Sequence, residues 1–281
     1  EKLLFLDVDA GPANQSVNYA SVDATSFTQE LRLNGTADKM RWVAGLYYLN
    51  IDNTSDNGLK FPINSVVPGS PYDLNSDADL QTNSYSVFGQ VEYDLRDDLT
   101  LIVGARVIQE EKNYTFGQNI YPTTNSSQIT QGTPTLIGPI YPGGVPTAFS
   151  DDTSDTLWAG KVQLDWRLTD DWLLYAGVNR GVKAGSFNAQ LAGGLAVPGS
   201  AIPYKEEVLW AYEAGFKSTW LNGTTRFNGS VFYYDYKDLQ ASVLLDITKG
   251  GDTLNAGKAN IYGFEAETGL KLTDNDSLNA S

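Results

Sequence analysis

The chain contains no cysteine, no histidine and one methionine in 281 residues. Without thiols or imidazoles it cannot build thiolate or imidazole metal centres, a cysteine nucleophile or a serine–histidine triad. Any catalysis would rest on carboxylates, Lys, Tyr or Ser, and no disulfide staples the fold. Positive charge is scarce too: 19 Lys+Arg stand against 34 Asp+Glu, a formal charge of −15. That balance argues against a nucleic-acid partner, which needs a cationic face to displace counterions from phosphates. Charged residues reach only 19%, below the quarter usual in soluble domains. No window approaches roughly 18 consecutive apolar residues, so no transmembrane helix is expected.

What the chain has in quantity is aromatic residues, at 12% with 16 Tyr and 6 Trp, and 27 glycines. They sit in a pattern of period two, in segments of roughly ten residues, which is the signature of strands. Tyr85, Val87, Val91, Tyr93 and Leu95 share a face, with Ser84, Ser86, Gln90, Glu92 and Asp94 on the other. The same alternation recurs with Leu101, Val103 and Val107 against Thr100, Gly104 and Arg106, and with Trp158, Val162, Leu164, Trp166 and Leu168 against Lys161, Gln163, Asp165 and Arg167. It returns around Tyr212–Trp220, Phe227–Tyr233 and Tyr262–Leu272. A helix would scatter each set around its axis.

Connections alternate in size. Short Asn/Asp/Gly turns fall at 35–39, 96–98, 169–171, 221–224 and 273–276, and long polar segments at 52–82, 117–155, 184–208 and 236–260. Asn34-Gly35-Thr36 and Asn222-Gly223-Thr224 are taken as turn chemistry rather than glycan acceptors. Short turns at one end and long loops at the other describe an up-and-down antiparallel meander, as in outer-membrane barrels. Trp and Tyr near the strand ends suit an interfacial girdle, and charges of both signs on the opposite face suit a wet lumen. A two-layer β-sandwich with a charged outer face remains the alternative.

Five stretches then resemble one family in the right order. Ser26–Leu33 with Trp42–Tyr48 is similar to an early barrel hairpin of TonB-dependent outer-membrane receptors. Val178-Asn179-Arg180-Gly181-Val182-Lys183-Ala184-Gly185-Ser186-Phe187-Asn188 resembles that family's "NRGYKSGGFN"-like stretch, and Tyr212–Ser218 its "YEAGFKS" strand. Phe232–Gln240 and Asn255–Glu265 match two further stretches. The resemblance implies an energised importer in the outer membrane of a Gram-negative bacterium. Its ligand would be a scarce nutrient, by default a ferric siderophore, otherwise a haem, a cobalamin or a glycan. Its partners would be TonB, acting through a plug inside the barrel, and outer-membrane lipid and lipopolysaccharide. No cofactor, metal site or enzymatic activity is expected. A passive porin-like channel and a soluble glycan-binding sandwich are the rival functions.

The pattern yields about eleven strands, whereas family barrels have roughly 22. Residues 1–281 are therefore expected to form one partial transmembrane β-barrel domain, about half the wall, with plug and C-terminal strands outside it. Open edges in such a sheet would expose unpaired backbone.

Candidate ligand contacts are Tyr121 and Tyr141 in the 117–155 segment, whose rings could stack on an aromatic chelate or a sugar, or merely form a lid. Arg180 and Lys183 form a cationic pair near the extracellular end, able to meet an anionic ferric complex, a lipopolysaccharide phosphate or a lumenal carboxylate, and Asn188 closes the same motif. Arg106 is expected to pair with Glu92. The sets Asp73/Asp77/Asp79 and Asp151/Asp152/Asp155 lack calcium-loop spacing. Glu110/Glu111 and Glu206/Glu207 are adjacent, so on a strand they point to opposite faces and cannot work as an acid/base pair.

Overall fold

A computed structural model describes residues 2–7, 17–61, 72–121, 148–188, 202–246, 250–273 and 275–281. The alternating segments form one 11-stranded antiparallel sheet. Its first strands are β1 (Lys2–Asp7), β2 (Val17–Ala37), β3 (Met40–Phe61), β4 (Tyr72–Arg96), β5 (Leu99–Tyr121) and β6 (Ala148–Thr169). It continues through β7 (Trp172–Lys183), β10 (Glu207–Trp220), β11 (Thr225–Lys237), β14 (Lys258–Lys271) and β15 (Ser277–Ala280), each strand bonded to the next in chain order. Two small hairpins leave the sheet: β8 (Ser186–Phe187) with β9 (Pro203–Tyr204), and β12 (Gln240–Asp246) with β13 (Gly250–Asn255).

The sandwich alternative fails on the faces. No second layer covers the described sheet. Trp166 is 42% exposed and Trp220 47%, on the same face as Leu31, Val87, Val162 and Phe264. Such an apolar surface is untenable in water and fits hydrocarbon.

The wall is tall on one side. Strands β2 to β6 run 21 to 25 residues, where a bilayer crossing takes about 9–11. Residues 52–61, 72–82, 117–121 and 148–155, expected as loop, are therefore strand that continues beyond the membrane. There neither face meets hydrocarbon, so alternation has no cause to persist: Asn75, Ser76, Asp77, Asp79 and Gln81 are polar on both sides of β4. Strand β1, which the alternation does not single out, is one of the eleven.

The short ends follow turn chemistry with one correction. Asn222-Gly223 does lie in the β10–β11 turn, where Leu221, Asn222 and Gly223 all have positive φ (53°, 53° and 87°). Asn34-Gly35 instead lies inside β2, and the reversal comes at Asp38 (φ 39°) and Lys39. Gly35 is needed for a different reason: a Cβ there would sit 2.9 Å from the Trp42 ring, which lies across the glycine. Phe216 over Gly229 and Phe232 over Gly263 repeat this arrangement, in which a neighbouring ring covers strand backbone that glycine leaves bare.

Candidate functional site

The outward face carries two tiers of rings. At the short-turn end Trp42, Tyr93, Trp166, Trp172 and Trp220 gather, with Trp172 edge-on to Trp220 at 5.3 Å. Trp166 shows why such a ring belongs there: its Nε1–H donates to Asp98 in the turn at 2.9 Å while its body faces outward. An indole with one wet end is placed best at a membrane–water boundary. That hydrogen bond, helped by Arg96, holds the Asp98 carboxyl below its ordinary range. The upper tier holds Tyr48 and Tyr85, 5.0 Å apart, Trp158, and Tyr212 beside Tyr233 at 6.3 Å.

The opposite face is ionic. Arg41 binds Asp94 at 2.8 Å and Glu92 at 3.1 Å. The Tyr175 hydroxyl donates to Glu213 at 2.7 Å, and Lys217 lies 5.9 Å from the Tyr175 ring centre. The expected Arg106–Glu92 pair does not form, because Arg106 stands opposite Phe88 and Glu92 opposite Ile102. Arg106 lies over the Tyr47 ring at 5.2 Å, and its Nε is buried without a hydrogen-bond partner among the described residues.

Above the membrane, this inner face holds an aromatic cluster. Tyr114 and Phe187 stack at 4.8 Å, Phe149 tilts against both, and Ala78, Phe116 and Ile202 complete it. Burial pushes the Tyr114 phenol up to about 12. No local motif marks these rings, although Tyr114 and Phe116 continue the inward parity of Glu110 and Lys112.

The expected ligand residues are dispersed. Tyr121 ends β5 opposite Asp73 and is buried; burial and the carboxylates of Asp77 and Asp56 push its phenol up. Tyr141 lies outside the described residues. Arg180 and Lys183 do not act as a pair: Arg180 shares the outward parity of Val178, Trp210 and Tyr212, while Lys183 falls on the lumen side opposite Glu207. Asn188 is buried and spans two excursions from the sheet. Its Nδ2–H donates to the Thr253 carbonyl at 2.9 Å, and its Oδ1 accepts from the Thr253 amide at 2.7 Å. Gln240 likewise donates through Nε2 to the Ala184 and Lys205 carbonyls, each at 2.9 Å, and its amide donates to Glu207. The acidic sets do not converge. Asp73 binds Lys60 at 3.0 Å, and Asp77 faces Asp56 with Asn75 donating to both. Among the described residues no three carboxylates gather to hold a cation.

An apolar, ring-edged outer face, an ionic inner face and strands rising far past the bilayer define the wall of an outer-membrane β-barrel. Residues 5–281 match the family described as "TonB dependent receptor-like, beta-barrel". The chain belongs to the TonB-dependent receptors, a family of receptors and transporters in the outer membrane of Gram-negative bacteria. The pesticin receptor of Yersinia enterocolitica is 31% identical over 125 residues, which is 44% of this chain and 17% of that protein. The ferric yersiniabactin uptake receptor FyuA of Yersinia pestis has the same fold, with a TM-score of 0.72 at 20% identity over 95% of this chain and 36% of its own. The siderophore receptor PiuA of Acinetobacter baumannii gives 0.59 at 15% identity over 92% of this chain and 37% of its own. The chain thus spans under two-fifths of the receptor structures it matches.

Proposed function

We propose that residues 1–281 form about half of the barrel wall of a TonB-coupled importer whose cargo is a ferric siderophore. The observation that carries the reading is the wall itself: the ionic lumen face rises beyond the bilayer into strands that present Tyr114, Phe149 and Phe187 inward. Tyr114 and Phe187 are buried against each other and brace the mouth, and the half-buried Phe149 at the edge of the cluster is the ring that meets an aromatic metal chelate, without binding the metal itself. Two relatives named for siderophores share the fold, and Tyr121 and Lys183 end strands that lead into the same mouth. TonB would act through a plug seated against the lumen face, and the long-strand end would face outward from the cell.

The test uses the full-length receptor in iron-starved cells lacking their other importers. Radiolabelled iron supplied as ferric yersiniabactin or as a ferric catecholate should enter only when TonB is present. Phe149→Ala should weaken ligand binding about tenfold while leaving the barrel folded. Entry of small solutes without TonB would establish a passive channel instead, and growth on a polysaccharide without iron uptake would establish a glycan importer.

A further inference from the structure

Apart from the aromatic cluster at the mouth, the ionic lumen lining is broken along one strip of β11. Phe232 stands opposite Glu213, Tyr234 opposite Ala211 and Tyr236 opposite Leu209, so three successive lumen-facing positions are rings. Phe232 and Tyr234 stack at 4.8 Å. On the other flank β14 sets Gly263, Ile261 and Ala259 against them. Ile261 keeps 50% of its surface exposed although it faces the lumen. Across the ladder, Tyr234 and Tyr236 thus meet only alanine, leucine and isoleucine. Below them the charged lining resumes with Asp165, Lys217, Glu265 and Glu267.

Building on the importer reading, we propose that Phe232, Tyr234 and Tyr236 are a second, deeper station for the cargo, and that this station selects an aromatic ferric chelate without net negative charge. Three observations support it. First, surface: a contiguous apolar patch inside a wet channel marks a place where something of like character docks. Rings about 6.6 Å apart along one strand suit successive faces of a flat ligand. Second, position: the rings alternate along β11 with Val231, Tyr233 and Asp235, so they lie level with the upper ring tier. Tyr234 is joined through Ala211 and Asn179 to Lys161 on β6. Phe149 lies farther up that strand, about 40 Å beyond Lys161 at 3.3 Å per residue, so the strip is on the way inward from the mouth. Third, charge: Glu213 stands directly opposite Phe232, and Glu213 and Glu265 both lie within electrostatic reach of the Tyr234 hydroxyl. At the upper end Lys183 is matched by Glu207 opposite it. Lys161, the cation in the Tyr234 row, is three strands away, about 14 Å at 4.8 Å per strand. That is past the Debye length of about 8 Å. A multiply anionic complex such as a ferric tris-catecholate would meet like charge at this strip, whereas an uncharged chelate would not.

The experiment places the full-length receptor in lipid nanodiscs and measures binding of two ferric complexes against empty discs. One is the neutral ferric tris-oxinate, the other its sulfonated counterpart, which carries the same rings with added negative charge. The neutral complex should bind about tenfold tighter. Tyr234→Ala should weaken it about tenfold. Glu213→Gln with Glu265→Gln should tighten the sulfonated complex about tenfold and so narrow the preference, a change in selectivity that a merely structural role would not produce. Equal or tighter binding of the sulfonated complex, no neutral-complex binding above empty discs, or unchanged binding by Tyr234→Ala would each overturn the proposal. Leakage of small solutes through the Tyr234→Ala barrel with unchanged chelate affinity would overturn it too, by marking the strip as a seat for the plug. Should Tyr234→Ala fail to fold, the comparison of the two complexes on the unaltered receptor still decides it. TonB-dependent iron entry combined with equal binding of the two complexes overturns this station and spares the importer; absence of iron entry overturns the importer, and the station with it.

Discussion

Val162 lies four residues from Trp158 and four from Trp166 on β6, and is 52% exposed on the apolar face. Those two rings mark the membrane's edges, about 26 Å apart along the strand at 3.3 Å per residue, so Val162 sits at the hydrocarbon midplane. Val162→Arg would place a guanidinium there at a cost of about 2–4 kcal/mol, which is roughly thirtyfold to a thousandfold in the folding equilibrium. The neighbouring Gln163 points the other way and donates to Asp165 at 2.6 Å. Gln163→Arg would keep its head in the lumen beside that carboxylate and should change stability by less than about 0.5 kcal/mol, as an exposed ion pair does. The assay is urea unfolding of the full-length receptor in lipid vesicles, followed by tryptophan fluorescence and by the gel shift of heated against unheated protein. Equal losses from the two substitutions would refute the two-faced wall, because a one-residue step must exchange lipid for lumen.

Other expectations follow from single contacts. Gly223→Ala forces a side chain into φ 87° and should destabilise the barrel by about 1 kcal/mol in the same urea assay. Asn188→Ala removes both bonds to Thr253 and should speed hydrogen exchange of the Thr253 amide by tenfold or more, with unchanged exchange in β5. Asp98 is held below its ordinary range by Trp166 and Arg96, so its bond stabilises the turn above the unfolded carboxylate range and is lost as pH falls through the folded value. Trp166 emission should therefore shift only in strong acid, and Asp98→Asn should abolish that shift. The 281-residue chain alone should transport nothing and should need detergent to stay in solution, since β1 and β15 leave sheet edges bare; monomeric cooperative folding in plain buffer would contradict this.

Alternation made the membrane-crossing part of β4 to β7 legible, because a bilayer on one side and water on the other force period two. It could not mark where those strands end, as in the Asp73–Thr82 part of β4, since neither face there meets hydrocarbon. The same rule would have placed Arg180 outward, counting from Trp172; motif proximity to Lys183 obscured it, because three residues along a strand reverse the face. Asn188 was found as part of a motif, but its partner Thr253 is 65 residues away, and no local pattern reports a bond of that span. The aromatic cluster was hidden likewise: Tyr114, Phe149 and Phe187 come from three distant segments that only the sheet brings together.

The tie from Asn188 to Thr253, with Gln240 reaching back to Ala184 and Lys205, couples two surface excursions that are far apart in the chain. A displacement of either must drag the other or break these polar bonds. Exchanging one such segment between receptors to alter what they recognise should therefore fail unless its companion travels with it, so the pair is the natural unit of inheritance for this corner of the mouth.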